Sequence, residues 1–141
     1  MTVRLLANPP GTWPRDGFPM NHAVVEPEGQ RVHLTGQVAW DAKGALIGGD
    51  DAEAQTHAAL DHIENILAAM GGGMQDIVSL TTYFTREEDK DGITRARAAR
   101  LHQEFGPVAT GIQVAGLWAP ELLVELTVIA VIPSDRFKRP E

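Results

Sequence analysis

The run from Leu122 to Ile132 constrains this chain more than any other segment. It holds eleven residues of strand-forming character and one charge, Glu125. Both of its alternating sets are rich in apolar side chains: Leu123, Ile129 and Val131 on one, Val124, Leu126, Val128, Ala130 and Ile132 on the other. A strand apolar on both sides needs a covering layer on each face of its sheet. The chain has 141 residues, enough for a single domain and one core. Its two helical segments suffice for one face. The simplest cover for the other is a second copy of the chain, so the residues alone point to an oligomer.

The remaining elements follow from periodicity and punctuation. Residues 1–16 read as an irregular N-terminal segment, with Pro9-Pro10-Gly11 and Pro14 marking turns. Residues 23–25 and 31–37 read as two strands, with hairpin turn chemistry in Glu26-Pro27-Glu28-Gly29. A Gly- and Asp-rich loop spans 41–51. Ala52 to Met70 is an amphipathic helix with Leu60, Ile63, Leu67 and Met70 at spacings of three or four, closed by Gly71-Gly72-Gly73. Ile77 to Phe84 reads as a strand and Glu87 to Gly92 as a charged loop. Ile93 to Phe105 reads as a second helix with Leu101 and Phe105 on one face, ended by Gly106-Pro107. Thr110 to Val114 and Leu122 to Ile132 are the last strands, and 134–141 form a tail. The order ββ-α-β-α-ββ predicts a single α+β domain over 1–141, a mixed β-sheet with two helices packed on one face.

Charge and composition narrow the function classes. The formal net charge is −7, against a nucleic-acid surface, which needs a clustered basic face. No apolar run approaches the roughly 20 residues of a membrane helix. The early prolines are at odds with a secretion signal. The absence of cysteine removes disulfides and thiolate chemistry and fits a cytoplasmic location. His57 and His62 are five apart, the wrong spacing for two ligands on one helical face, so no metal site is expected.

Glu125 is the leading chemical candidate. A carboxylate in an apolar strand is costly to bury without a partner or a task. It is either a solvated or paired edge residue, or a general acid/base in a cleft. Thr35-Gly36-Gln37, at the end of a strand, can present a hydroxyl and open backbone groups to a ligand, or simply terminate that strand. His22 carries an imidazole, a side-chain type suited to base chemistry, and is a second candidate base, though a lone histidine is more often a surface residue. Trp13, Trp40 and Trp118 stand near loops and read first as packing or interface residues.

Taken together, the Thr-Gly-Gln segment, the Asn65-Ile66-Leu67 helix, Gly106-Pro107 and the strand Val124-Glu125-Leu126-Thr127-Val128-Ile129-Ala130 resemble the Rid superfamily. These reactive intermediate deaminases (YjgF-type proteins) are small trimers, and the resemblance covers roughly residues 17–133. It implies a chorismate-mutase-like Rid fold and a homotrimer with ligand clefts between subunits. No cofactor is implied. Glu125 matches the family glutamate that orients the hydrolytic water, and Thr35 and Gly36 match its Ser-Gly pair. Gln37 matches directly, in a more structural role.

The match fails where an imino acid would bind. The arginine that holds the substrate carboxylate is Ala109 here, followed by Thr110, whose hydroxyl is available to a cleft. The family tyrosine falls at about Met20 and the asparagine of the second helix at about Ala98. Trp118 replaces a usual proline and is the residue expected to reshape the pocket. The resemblance therefore implies a small-molecule hydrolase or deaminase-like protein not suited to 2-aminoacrylate-type imines. The alternative is a non-catalytic or chaperone-like ligand-binding trimer. Endoribonuclease activity, attached to some members, is at odds with the acidic balance. With position 109 uncharged, Glu125 dominates the cleft's field unless Arg95, His22 or another basic residue moves in.

Overall fold

The computed structural model describes residues 3–101 and 104–141. Its main sheet has four strands: β3 (Gln30–His33), β4 (Ile77–Phe84), β5 (Val108–Gln113) and β6 (Val124–Ile132), in the order β3-β6-β4-β5. β6 is antiparallel to both β3 and β4, while β4 and β5 are parallel. Helices α1 (Ala52–Ala68) and α2 (Lys90–Arg100) pack on one face of this mixed sheet. Val124, Leu126, Val128 and Ala130 of β6 meet Leu60, Ile63 and Leu67 of α1 in the core.

α1 begins where Asp51 accepts hydrogen bonds from the N–H groups of Glu53 and Ala54, a side-chain cap on otherwise orphaned donors. It ends where Gly71 turns to φ +83 and the Gly72 N–H returns to the Leu67 carbonyl at 2.8 Å. A Cβ on Gly71 would also overlap the Arg136 carbonyl oxygen. The C-terminal segment is folded back there: Arg136 donates to both oxygens of buried Asp76, at 2.7 and 3.1 Å.

Four expectations need correction. The segment Ala23–Val25 is a strand, β2, but it pairs with Leu5–Ala7 (β1) in a separate two-stranded sheet rather than forming a hairpin with β3. Asn8 fixes this pairing, accepting from the His22 N–H at 2.8 Å and donating to Asn21 at 2.9 Å. β1 was illegible because it is three exposed residues next to two prolines.

α2 starts at Lys90, three residues into the expected charged loop. Arg86 binds Asp89 at 2.8 Å and Asp50 at 3.0 Å, holding the acidic entry in place. α2 also ends early: Leu101 is extended and buried, and Phe105 is largely exposed, so the two do not share a helical face. Positions 102 and 103 of that expected helix lie outside the described residues. Finally, β3 leaves the ladder after His33 instead of running on to residue 37.

Candidate functional site

The early end of β3 builds the site. The Leu34 N–H bonds the Val128 carbonyl at 3.2 Å, and the Gln37 N–H bonds that of Leu126 at 2.8 Å. Three residues of the β3 segment thus span two of β6, so Thr35 and Gly36 bulge out opposite Thr127. A bulge unpairs backbone groups and redirects the chain locally. Thr35 is exposed, and its carbonyl accepts from Gln37 Nε2 at 3.2 Å. Gln37 is thereby occupied in holding the bulge.

Glu125 lies against this bulge. A Cβ on Gly36 would overlap Glu125 Oε2, so only glycine leaves the carboxylate its present position. The reason is space, because Gly36 is not among the glycines at positive φ. Glu125 is half-buried, on the sheet face opposite the helices. Among the described residues it has no ion pair or side-chain hydrogen bond. Tyr83 stands beside it on β4, and Ile112 beyond that on β5. The next row on this face is Thr127, Thr81 and Thr110. The uncovered face is thus more polar than the alternation of β6 predicts.

The entrance to β6 is held by a residue that sequence reasoning missed. Gln55 is fully buried on α1; its Nε2 donates to the carbonyls of Gly49 and Glu121, and its Oε1 accepts from the Leu123 N–H at 2.9 Å. That last bond is two residues before Glu125. The available signal was a polar residue in the buried stripe between Ala52 and Ala59.

The remaining candidates are dispersed. Ala109 pairs with Leu80 on the helix-facing side of β5, whereas Thr110 pairs with Thr81 on the open side. The adjacent residues therefore look into different compartments. Met20 is buried beside the start of β5, where the Asn21 N–H bonds the Pro107 carbonyl at 3.1 Å. Trp118 is 90% exposed in the loop between β5 and β6 and lies away from any core. His22 Nε2 is 2.8 Å from the Trp13 carbonyl oxygen, with the two rings edge to face.

Arg95 does not enter the site. It pairs with Glu53 at 2.9 Å on the outer helical surface, and that carboxylate raises its pKa further. A different arginine does turn inward. Arg97 of α2 reaches the helix-facing side of the sheet and donates from Nη1 to Thr82 Oγ1 at 3.1 Å. A roomier cavity of about 640 Å³ lies at the opposite end of β4, beside Gly72, Gly73 and Leu101. It shares no residue with the Glu125 site.

Comparison with known proteins identifies the family and the fold. The sequence profile of the family described as Endoribonuclease L-PSP matches residues 17–132. A Rid-family protein of unknown function from Yersinia pestis is 32% identical, over 92% of this chain and 99% of that one, with a TM-score of 0.79. A member of the YjgF/YER057c/UK114 family from Mycobacterium tuberculosis is 27% identical, over 92% and 99%, at a TM-score of 0.64. RidA from an Antarctic Psychrobacter is 26% identical, over 90% and 94%, at 0.67. The profile match runs from the segment before β2 to the end of β6, and the chain therefore belongs to the Rid (YjgF-type) family.

Proposed function

We propose that this protein acts on a small amine- or imine-bearing molecule as a homotrimer, with Glu125 activating water in a cleft between subunits. The observation that carries the reading is the unpaired Glu125 carboxylate laid against the Gly36 bulge on the uncovered sheet face. Such a carboxylate can accept a proton from water as the oxygen attacks an imine carbon. The carbinolamine formed then collapses to a carbonyl and releases the amine, so that C=N and water become C=O and N–H. Thr35, exposed in the bulge itself, offers its hydroxyl as a further polar contact.

An isolated carboxylate attracts cations. The Glu125 site therefore favours amine-bearing or neutral ligands. Substrates that need a carboxylate clamp on the strand are poor here, because Ala109 offers no donor. A lost clamp of that kind costs about 2–5 kcal/mol, on the order of 30- to several-thousand-fold. Turnover of 2-aminoacrylate-type imines is accordingly expected to be negligible.

The second reading, a ligand-binding trimer without chemistry, draws on one observation: no described donor in the chain orients Glu125. Screening imines for ammonia release by wild type and Glu125→Gln separates the two. Turnover that Glu125→Gln abolishes supports the hydrolase. Binding of amines without turnover supports the second reading, and full turnover in Glu125→Gln defeats the first.

A further inference from the structure

Hydrolysis of an imine delivers two protons to nitrogen, and Glu125 carries one at a time. In the addition step water loses a proton at one end of the C=N bond while nitrogen gains one at the other. A proton donor beside Glu125 completes that step, so the other groups on its sheet face decide where the proton comes from.

Strand register puts Arg31, His33, Tyr83 and Glu125 on the open face of the four-stranded sheet. Arg31 is opposite Val131, far along β6, and is already paired with Glu26. His33 is opposite Ile129, about 13 Å from Glu125 at a rise of about 3.3 Å per residue. Tyr83 is directly opposite Glu125. Directly opposed residues hold their Cβ atoms about 4.5–5.5 Å apart, so the phenol and the carboxylate border the same small space.

Tyr83 is half-buried and is the chain's single tyrosine. Its hydroxyl makes no hydrogen bond to any described residue, Glu125 included. Nor is it among the buried polar atoms without a partner, so it opens toward the uncovered side. A phenol is a far better proton donor than the alcohols of Thr81, Thr110 and Thr127 in the next row. An unengaged donor thus stands across the strand from an unengaged acceptor.

We infer that Tyr83 is the proton donor to the substrate nitrogen at the Glu125 site, a catalytic role that rests on the imine-hydrolysis reading above. The water oxygen bonds to the imine carbon, and Glu125 takes the water proton. The C=N electron pair moves onto nitrogen, which takes the phenol proton. Collapse of the carbinolamine runs the relay back. The C–N bond breaks as nitrogen takes the proton held on Glu125, and the carbinolamine hydroxyl returns a proton to the phenolate as C=O forms. Both residues end as they began.

Tyr83→Phe keeps the ring and removes only the donor. On the imines of the ammonia-release screen it should lower kcat by at least about 100-fold, the lower end for a positioned general acid, with KM little changed. With one tyrosine in the chain, growth on 3-fluorotyrosine labels position 83 alone. The single fluorine resonance should shift when the primary-amine analogue of the substrate, which has no C=N bond to hydrolyse, binds the full chain. Near-wild-type kcat in Tyr83→Phe, with turnover abolished in Glu125→Gln, would overturn the donor and leave the hydrolase reading standing. A raised KM with unchanged kcat would overturn it too, as the mark of a binding contact. No imine turnover by wild type would overturn both. Should Tyr83→Phe fail to fold, the labelled protein decides: a shifted resonance supports contact between Tyr83 and the ligand, and an unmoved one at saturating amine overturns the assignment.

Discussion

At the scale of single residues, Gly36 and Glu125 form one unit. The carboxylate occupies the volume that any side chain at position 36 would need. The obstructed atoms are the far end of a flexible side chain, so Gly36→Ala should leave the fold intact and swing Glu125 aside. The expected outcome is an unfolding free energy within about 1 kcal/mol of wild type, with at least a tenfold loss, about 1.4 kcal/mol, in whatever amine binding or turnover Glu125 supports. A large drop in stability with unchanged ligand behaviour would break the link between the two residues. Gly36 was readable as glycine in a motif. That its use is space rather than backbone conformation was readable only from where Glu125 lies.

At the scale of elements, the junctions hold the site more than the elements themselves do. Gln55 joins the loop before α1, α1 itself and the turn before β6 through three hydrogen bonds, the one to the Leu123 N–H buried and the other two part-buried. Replacing it by leucine removes all three and strands two carbonyls and one N–H. Gln55→Leu should therefore lower stability by about 2–4 kcal/mol, read from urea unfolding. Glu125 should also lose its position, because Leu123 is two residues away. A stability change under 0.5 kcal/mol, about the noise of surface substitutions, would mean that water or neighbouring groups replace the bonds. The regular parts of α1, β4 and β6 were legible because their periodicity is local. The ends of α2 and β3 were not, because an ion-pair cluster, a buried extended leucine and a bulge decided them.

At the scale of the whole molecule, the open sheet face and the loop carrying Trp118 are the features a single chain leaves unfinished. Trp118 is 90% exposed, and Ile112 on the edge strand is 40% exposed. Large exposed apolar groups of this kind mark contact surfaces. The proposed trimer should be seen by analytical ultracentrifugation at micromolar concentration. Trp118→Glu should weaken it if that loop enters the contact, while the far-ultraviolet spectrum stays unchanged. A stable monomer for wild type would leave Glu125 facing solvent and remove the basis for a cleft between subunits.

The amino-acid sequence by itself determined the helix α1, the strands β4 and β6, the two-helix mixed sheet and the lone carboxylate at position 125. Each is written in local periodicity and in residue type, which act over a few neighbours. It also determined that position 109 carries no cation. Only the tertiary structure decided that Gly36 lies under Glu125, that β2 turns to β1, and that Arg97 rather than Arg95 faces inward. Those outcomes depend on strand register, on a one-residue bulge and on which partner each arginine finds. All three are set by contacts between residues far apart in the chain, and no local pattern encodes them.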